Sequence, residues 1–312
     1  MKNDNIISII IPTYKGEKNI SDLVEELVNV FNEYKIEIVI INDCSPENLT
    51  HNICLELCSK YPDKITYLKL AKNFGEHNAI MAGLRNCEGD IAIIMDDNQI
   101  IPSEAVRLAE YTLKNKFDVV FCNYTEKKDS FLRNLMSKIA NYSAEIFLKK
   151  PSDIYFSSFK AIKKELINQV IKYKGPFPYI DGLILSASNN LGSFEVTHSL
   201  RKKGQSSYTL SKLAKHYANL TTNFSTVPIH IFSIIGFFLT IVSFLFILSI
   251  IIEKIFNPNL PLGYSTIISV IFFFSGVQML FLGLIGEYVG KILKNVNKEE
   301  QYIINYIKKK NN

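Results

Sequence analysis

The sequence predicts an α/β domain built on a mostly parallel sheet, followed by two apolar helices long enough to cross a membrane. Three observations carry this reading. Residues 1–125 alternate short β-branched runs with longer amphipathic stretches, the rhythm of βαβ units. Ile229–Ile252 runs 24 residues with no Asp, Glu, Lys or Arg, and Tyr264–Ile285 runs 22 more with none. At about 1.5 Å per residue, each run covers a hydrocarbon core of about 30 Å.

Taken in order, Ile6–Ile11, Glu37–Ile41, Thr66–Leu70, Ile91–Met95 and Val119–Phe121 read as strands. Asn19–Tyr34, Glu47–Tyr61, Gly75–Cys87 and Ser103–Lys114 read as the helices between and after them, with Ser103 as the cap of the last. Beyond Phe121 the rhythm changes. Ser130–Leu148 and Ser211–Phe224 read as basic amphipathic helices, the second placed to lie in the headgroup layer beside the first apolar run. Glu253–Gly263, with Asn257-Pro258 and Pro261, is the turn between the two runs. The expected division is a cytosolic α/β domain with its interfacial amphipathic helices over 1–226, a two-helix membrane hairpin over 227–290 and a basic cytosolic tail over 291–312.

A charged fraction of 21% against 47% hydrophobic residues excludes disorder and allows a sizeable core. The net charge of +5 is unevenly placed. Residues 1–200 hold 23 basic against 26 acidic side chains, 201–228 hold five basic and no acidic, and 286–312 hold six Lys against three Glu. Positive charge gathered at the flanks of the apolar runs argues against a nucleic-acid partner. By the positive-inside rule it puts those flanks, the large domain and both termini in the cytoplasm, as a multi-pass protein of the cytoplasmic membrane. All five Cys fall in the cytosolic part, where thiols stay reduced. His51, Cys54 and Cys58 share one helical face, and in a Leu-rich helix core packing is preferred over a zinc site.

In open parallel sheets ligands bind at the carboxyl ends of the strands. Those ends carry Pro12-Thr13-Tyr14, Asn42-Asp43-Cys44-Ser45, Lys72-Asn73-Phe74-Gly75 and Asp96-Asp97-Asn98. Neither G-x-G-x-x-G nor G-x-x-x-x-G-K-[ST] occurs at a first strand, which disfavours dinucleotide oxidoreductases and P-loop ATPases. Asp96 and Asp97 end an apolar strand, where carboxylates are unfavourable unless paired or bound to a cation. Such oxygen ligands suit Mg²⁺ or Mn²⁺ holding a substrate diphosphate.

These residues, in order, resemble glycosyltransferase family 2, specifically its polyprenyl-phosphate sugar transferases, the dolichol-phosphate-mannose-synthase-like group with a C-terminal membrane hairpin. The resemblance rests on Ile9-Ile10-Ile11-Pro12-Thr13-Tyr14 with Glu17, Ile41-Asn42-Asp43-Cys44-Ser45-Pro46, and Lys72-Asn73-Phe74-Gly75 followed by Ala82-Gly83-Leu84. It continues through Met95-Asp96-Asp97-Asn98 with Pro102 and Glu104, and through Arg201, Gly204, Ser206 and Tyr208 ahead of Phe224-Ser225-Thr226-Val227-Pro228. It implies a GT-A (Rossmann-like) fold and transfer of a sugar, with inversion, from a nucleotide-sugar to undecaprenyl phosphate. It further implies Mg²⁺ or Mn²⁺, membrane lipids as surroundings and a homo-oligomer.

Position by position, the resemblance makes Pro12, Thr13, Tyr14, Glu17, Asp43, Asn73 and Asp97 the nucleotide-sugar residues. Asp96 and Asn98 become the metal ligands, Arg201 the cation on phosphate, and Arg133 an arginine near the diphosphate or acceptor. Three departures stand out. Asn98 replaces an acid, Ser158 stands where an acid is usual with Lys160 in place of Arg, and Ser207 replaces a Lys. The loss at Ser158 is tolerable for one acceptor class. A phosphomonoester has its second pKa near about 6 and arrives ionised, so it needs positioning rather than a base. Asp153 is the nearby carboxylate that could serve as one, and ranks below having no base. The competing readings are a glycosyltransferase acting on a hydroxyl acceptor and a non-catalytic nucleotide-sugar-binding scaffold.

Overall fold

The computed structural model describes residues 5–97, 101–124, 151, 154–196 and 263–311, with isolated positions between 234 and 256. The first nine elements run β1 (Ile6–Thr13), α1 (Ile20–Val30), β2 (Lys35–Asn42), α2 (Asn48–Lys60), β3 (Ile65–Leu70), α3 (Glu76–Asn86), β4 (Ile91–Ile94), α4 (Pro102–Lys114) and β5 (Val119–Tyr124). Then follow β6 (Lys160–Lys163), α5 (Lys164–Val170), α6 (Ile180–Ala187), β7 (Leu191–Val196), α7 (Tyr264–Val296) and β8 (Ile304–Lys308). The chain divides into two units, residues 1–213 with 298–312, and residues 214–297.

The five expected strands and four expected helices all form, with ends shifted by a few residues. One local expectation fails. Helix α4 starts at Pro102 behind Ile101, and no side chain caps it, so Ser103 lies inside the first turn. Proline's fixed φ suits that first position and moves the boundary ahead of the serine.

The eight strands form one sheet in the order β7-β5-β6-β4-β1-β2-β3-β8. Strands β1 to β4 pair in parallel, as the βαβ rhythm requires. Antiparallel β6 lies between β4 and β5. In β1 the residues Ile7, Ile9 and Ile11 join the core cluster that holds α1, α2 and α4. Helix α1 buries Ile20, Leu23, Val24 and Leu27, the i, i+3, i+4, i+7 stripe of an amphipathic helix. Helix α3 covers the other face, its Gly83 set against Ile10 and Ile41. Cys54 and Cys58 belong to the core, where burial pushes their thiols up to about 12 and about 11. All five cysteines are free.

The expected tail over 291–312 has structure of its own. Residues to Val296 continue α7, and Ile304–Lys308 add to the sheet as β8, antiparallel to β3. Side-chain and backbone contacts tie this segment down. The Arg85 guanidinium lies over the Tyr302 ring and donates to the Ile171 and Tyr173 carbonyls. Lys310 pairs with Glu88 at 3.0 Å and with the buried Glu37 at 3.8 Å. The Asn311 amide donates to the Pro62 carbonyl at 2.8 Å.

Among the described residues one helical stretch, Phe274–Val296 within α7, is long and apolar enough to cross a membrane. In the first apolar run the described positions, among them Ile234, Phe238, Ile241, Leu245, Leu248 and Ile252, are helical. Ser130–Leu148 and Ser211–Phe224 lie outside the described residues, as do Asn98, Arg133, Asp153 and Arg201.

Candidate functional site

Strand β1 has β2 on one side and β4 on the other, so the direction of winding reverses beside it. A crevice opens at such a switch point, outside the carboxyl ends of the strands. Thr13 ends β1 and Asp96-Asp97 follow β4, so the two tips meet there. The Thr13 hydroxyl donates to Asp97 Oδ2 at 2.6 Å. Asp97 is half-buried, and its carboxyl is pushed up to about 6, first by desolvation, with the Asp96 and Glu17 charges adding and the Thr13 bond opposing. Ser158, just before β6, donates to Asp96 Oδ2 at 2.8 Å. Two neighbouring half-buried carboxylates that burden each other in this way fit a hard divalent cation. Mg²⁺ and Mn²⁺ ordinarily take one or two protein carboxylates and complete their shell with water and substrate phosphate oxygens. Among the described residues no group of three or more His, Cys, Asp or Glu is placed around one point, so a cation here would share its shell with substrate.

The turn after β1 is tightly set. Gly16 packs so closely that an added Cβ would lie 2.0 Å from Thr13 Oγ1 and 2.6 Å from Asp97 Oδ2. Both atoms belong to short side chains with little room to move. Gly16→Ala is therefore expected to break the Thr13–Asp97 bond and weaken nucleoside diphosphate and metal binding by about tenfold or more, readable by calorimetry. Lys15, at φ 60°, and Cys44, at φ 55°, occupy the left-handed region at the tips of β1 and β2. Non-glycine residues held there mark a backbone over-determined by its surroundings.

Asp43 is buried. It accepts from the amides of Phe74 at 2.7 Å and Gly75 at 2.8 Å, which latches the loop before α3 to the tip of β2. Gly75 sits at φ 90°, a conformation a side chain would strain, and so both amides can face one carboxylate. Burial pushes the Asp43 carboxyl up, while these two bonds pull it back. Glu17 accepts from Thr50 at 3.0 Å, joining the first loop to α2. Tyr14 and Asn73 are exposed on the loops after β1 and β3, and Pro12 is half-buried near the end of β1. The structure thus brings Pro12, Thr13, Tyr14, Glu17, Asp43, Asn73, Asp96, Asp97 and Ser158 to the same ends of the strands.

Sequence reasoning passed over Gly16, and it marked Lys160 only as a departure without its partner Asp181. Gly16 carries a weak signal, a glycine between strand tip and helix. Lys160 is buried and ion-paired with Asp181 in the first turn of α6. The signal there is an acid inside the apolar run Tyr179-Ile180-Asp181-Gly182-Leu183-Ile184.

The geometry can be set beside known proteins. The undecaprenyl-phosphate 4-deoxy-4-formamido-L-arabinose transferase of Proteus mirabilis is 28% identical over 305 residues, covering 96% of this chain and 93% of its own. The enzyme of that name from Aeromonas hydrophila is 29% identical over 318 residues, covering 98% and 96%. Among solved structures, glucosyl-3-phosphoglycerate synthase from Mycobacterium tuberculosis, crystallised with Mn²⁺, UDP and glucosyl-3-phosphoglycerate, superposes with a TM-score of 0.51. It is 14% identical and covers 71% of this chain and 80% of its own, so the likeness is one of fold. A family model for glycosyl transferase family 2 matches residues 8–171, from β1 through the Asp96 and Ser158 tips to the end of α5. The chain therefore belongs to glycosyl transferase family 2.

Proposed function

We propose that this protein transfers a sugar, with inversion, from a nucleotide-sugar to undecaprenyl phosphate at the cytoplasmic face of the membrane, using Mg²⁺ or Mn²⁺. The observation that carries the reading is the extent of the match. Relatives named for undecaprenyl-phosphate transfer align over 96–98% of the chain, the apolar stretch over 227–290 included, and a soluble acceptor has no use for that stretch. Asp96 and Asn98 would hold a divalent cation, which when bound would neutralise charge on the departing diphosphate. Ser158 orients Asp96, and Arg201 and Arg133 meet the phosphates of donor and acceptor. The loops carrying Pro12, Thr13, Tyr14, Glu17, Asp43 and Asn73 grip the nucleotide. No protein base is required, because the acceptor phosphate is its own ionised nucleophile.

The pairing of β8 with β3 supports the two-helix hairpin. The chain after α7 rejoins the catalytic domain, so it lies on the same side of any membrane and the crossings between are even in number. Helix α7 supplies one crossing and the run over 229–252 supplies the other. Residues 1–226 and the segment after α7 are then cytoplasmic, with the short turn outside.

Radiolabelled nucleotide-sugars, incubated with undecaprenyl phosphate and Mn²⁺, should yield an organic-soluble, acid-labile product. Label appearing on a hydroxyl lipid instead, or on no lipid with any donor, overturns the reading. Ser158→Ala is expected to weaken apparent metal affinity by about tenfold, as loss of a group orienting a metal ligand does, with kcat at saturating metal nearly unchanged. A neutral hydrogen bond alone would cost about fivefold; the charged partner found at Asp96 raises the expectation.

A further inference from the structure

Behind the nucleotide loops runs a chain of side chains joined by hydrogen bonds. The Lys15 backbone amide donates to Ser45 Oγ at 2.9 Å, so that hydroxyl must send its own proton elsewhere. Asn42 Oδ1 receives it at 2.8 Å and also accepts the Ser45 amide at 2.8 Å. Two donors on one atom fix the Asn42 amide with its oxygen toward Ser45. Its Nδ2 consequently donates to the Tyr67 hydroxyl at 3.2 Å. His51 Nδ1 lies 2.9 Å from the Tyr67 hydroxyl, and assigning the Tyr67 proton to it, with the His51 proton on Nε2, satisfies every group of the chain. Burial, with the Lys69 charge adding, moves the His51 imidazole below the ordinary histidine range, in keeping with a neutral ring. The relay ends under β8, where the Tyr306 ring meets His51 edge-on at 5.5 Å and lies 6.2 Å from Tyr67.

We infer that Tyr67 and His51 are positioning residues for the nucleotide-sugar, acting through Asn42 and Ser45 to hold the backbone at Lys15 in its left-handed turn. The inference rests on the nucleotide-sugar reading above. Neither ring needs to touch the donor. Tyr67 is fully buried in β3, and its hydroxyl lies among the polar atoms that organise the tips of β1 and β2. If Tyr67 loses its hydroxyl, Asn42 Nδ2 loses its acceptor and only the two Ser45 bonds still hold the amide. The amide and the Ser45 hydroxyl bonded to it are then less sharply placed, which loosens the anchor of the Lys15 turn. Because the turn that carries Tyr14 and Glu17 is the part displaced, donor binding should suffer while the carboxylates after β4 stay in place.

The test uses the full chain in detergent, with UDP, GDP and dTDP in the presence of Mn²⁺ as probes. For whichever the wild-type protein binds best, Tyr67→Phe and His51→Leu should weaken binding by about fivefold or more. The KM for the nucleotide-sugar should rise by the same factor, with kcat at saturating donor held within about twofold. His51→Asn, whose amide oxygen takes the Nδ1 place as acceptor, should restore binding. A purely structural role lowers stability without separating Leu from Asn at position 51. Equal binding by wild type and Tyr67→Phe, or equal losses in both His51 variants, overturns the inference. If Tyr67→Phe does not fold, the His51 pair decides alone. A wild-type protein that binds none of the three nucleotides overturns the nucleotide-sugar reading, and this inference with it.

Discussion

Asp96→Ala is expected to lower transfer by at least about a hundredfold at saturating metal, equivalent to about 2.7 kcal/mol of transition-state stabilisation. Asp96 follows β4 at the switch point, and the Ser158 hydroxyl fixes one of its oxygens. Asp97 beside it is turned back to Thr13, so it is poorly placed to take over. In the proposed reaction, removing Asp96 would take away the charged anchor for a cation that neutralises the leaving diphosphate. The fold should not suffer, because one of two mutually repelling carboxylates is deleted. Thermal stability without nucleotide should match or slightly exceed that of the wild type, while the added stabilisation from Mn²⁺ with UDP disappears. Near-normal turnover by the variant would show that the metal assignment is wrong.

Lys160→Met should have the largest effect on stability, a loss of about 3–5 kcal/mol. For a domain of this size that lowers the melting temperature by roughly 6–20 °C. Lys160 begins β6 and is registered between Ile94 of β4 and Phe121 of β5, with its side chain 4% exposed and that of Asp181 10%. The ammonium also lies 5.4 Å from the centroid of the Phe121 ring. Methionine fills similar volume but leaves the Asp181 carboxylate buried and unpaired, and that stranded charge is the source of the loss. Adding Asp181→Leu should recover most of it, since a well-packed apolar pair often matches a buried ion pair. A double variant no more stable than Lys160→Met alone would count against this account.

The parts of the fold legible in the sequence are those that carry a strong local pattern. Strands β1 to β5 and helices α1 to α4 announce themselves through β-branched runs and 3.6-residue periodicity, signals that do not depend on which strand lies beside each. Strand β6 has four residues and β8 lies in a basic segment, and both pair antiparallel with strands far away in sequence. Pairing of that kind leaves little local trace. The site divides in the same way. Asp96, Asp97, Thr13 and Asp43 could be picked out because strand tips are where parallel sheets bind ligands. The bonds between them join residues 31 to 84 positions apart, and no spacing rule encodes such wiring. Ser158 is the instructive case. As a sequence position it reads as a missing acid, whereas in the structure its hydroxyl supports the acid that remains.

The late position of β8 in the chain bears on how the protein is made. Strand β3 emerges from the ribosome early, and its outer edge has no β8 beside it until the chain beyond α7 has been synthesised. For all that interval the nascent domain presents an open row of amides and carbonyls, and such an edge is a template for pairing with another chain. Lys64 and Lys69, at the start and near the end of that edge, supply charge of the kind that discourages such pairing. Closure of the sheet at β3 thus waits until α7 has left the ribosome. A polypeptide released prematurely within α7 carries every site residue at the strand tips yet never closes the sheet on which they stand.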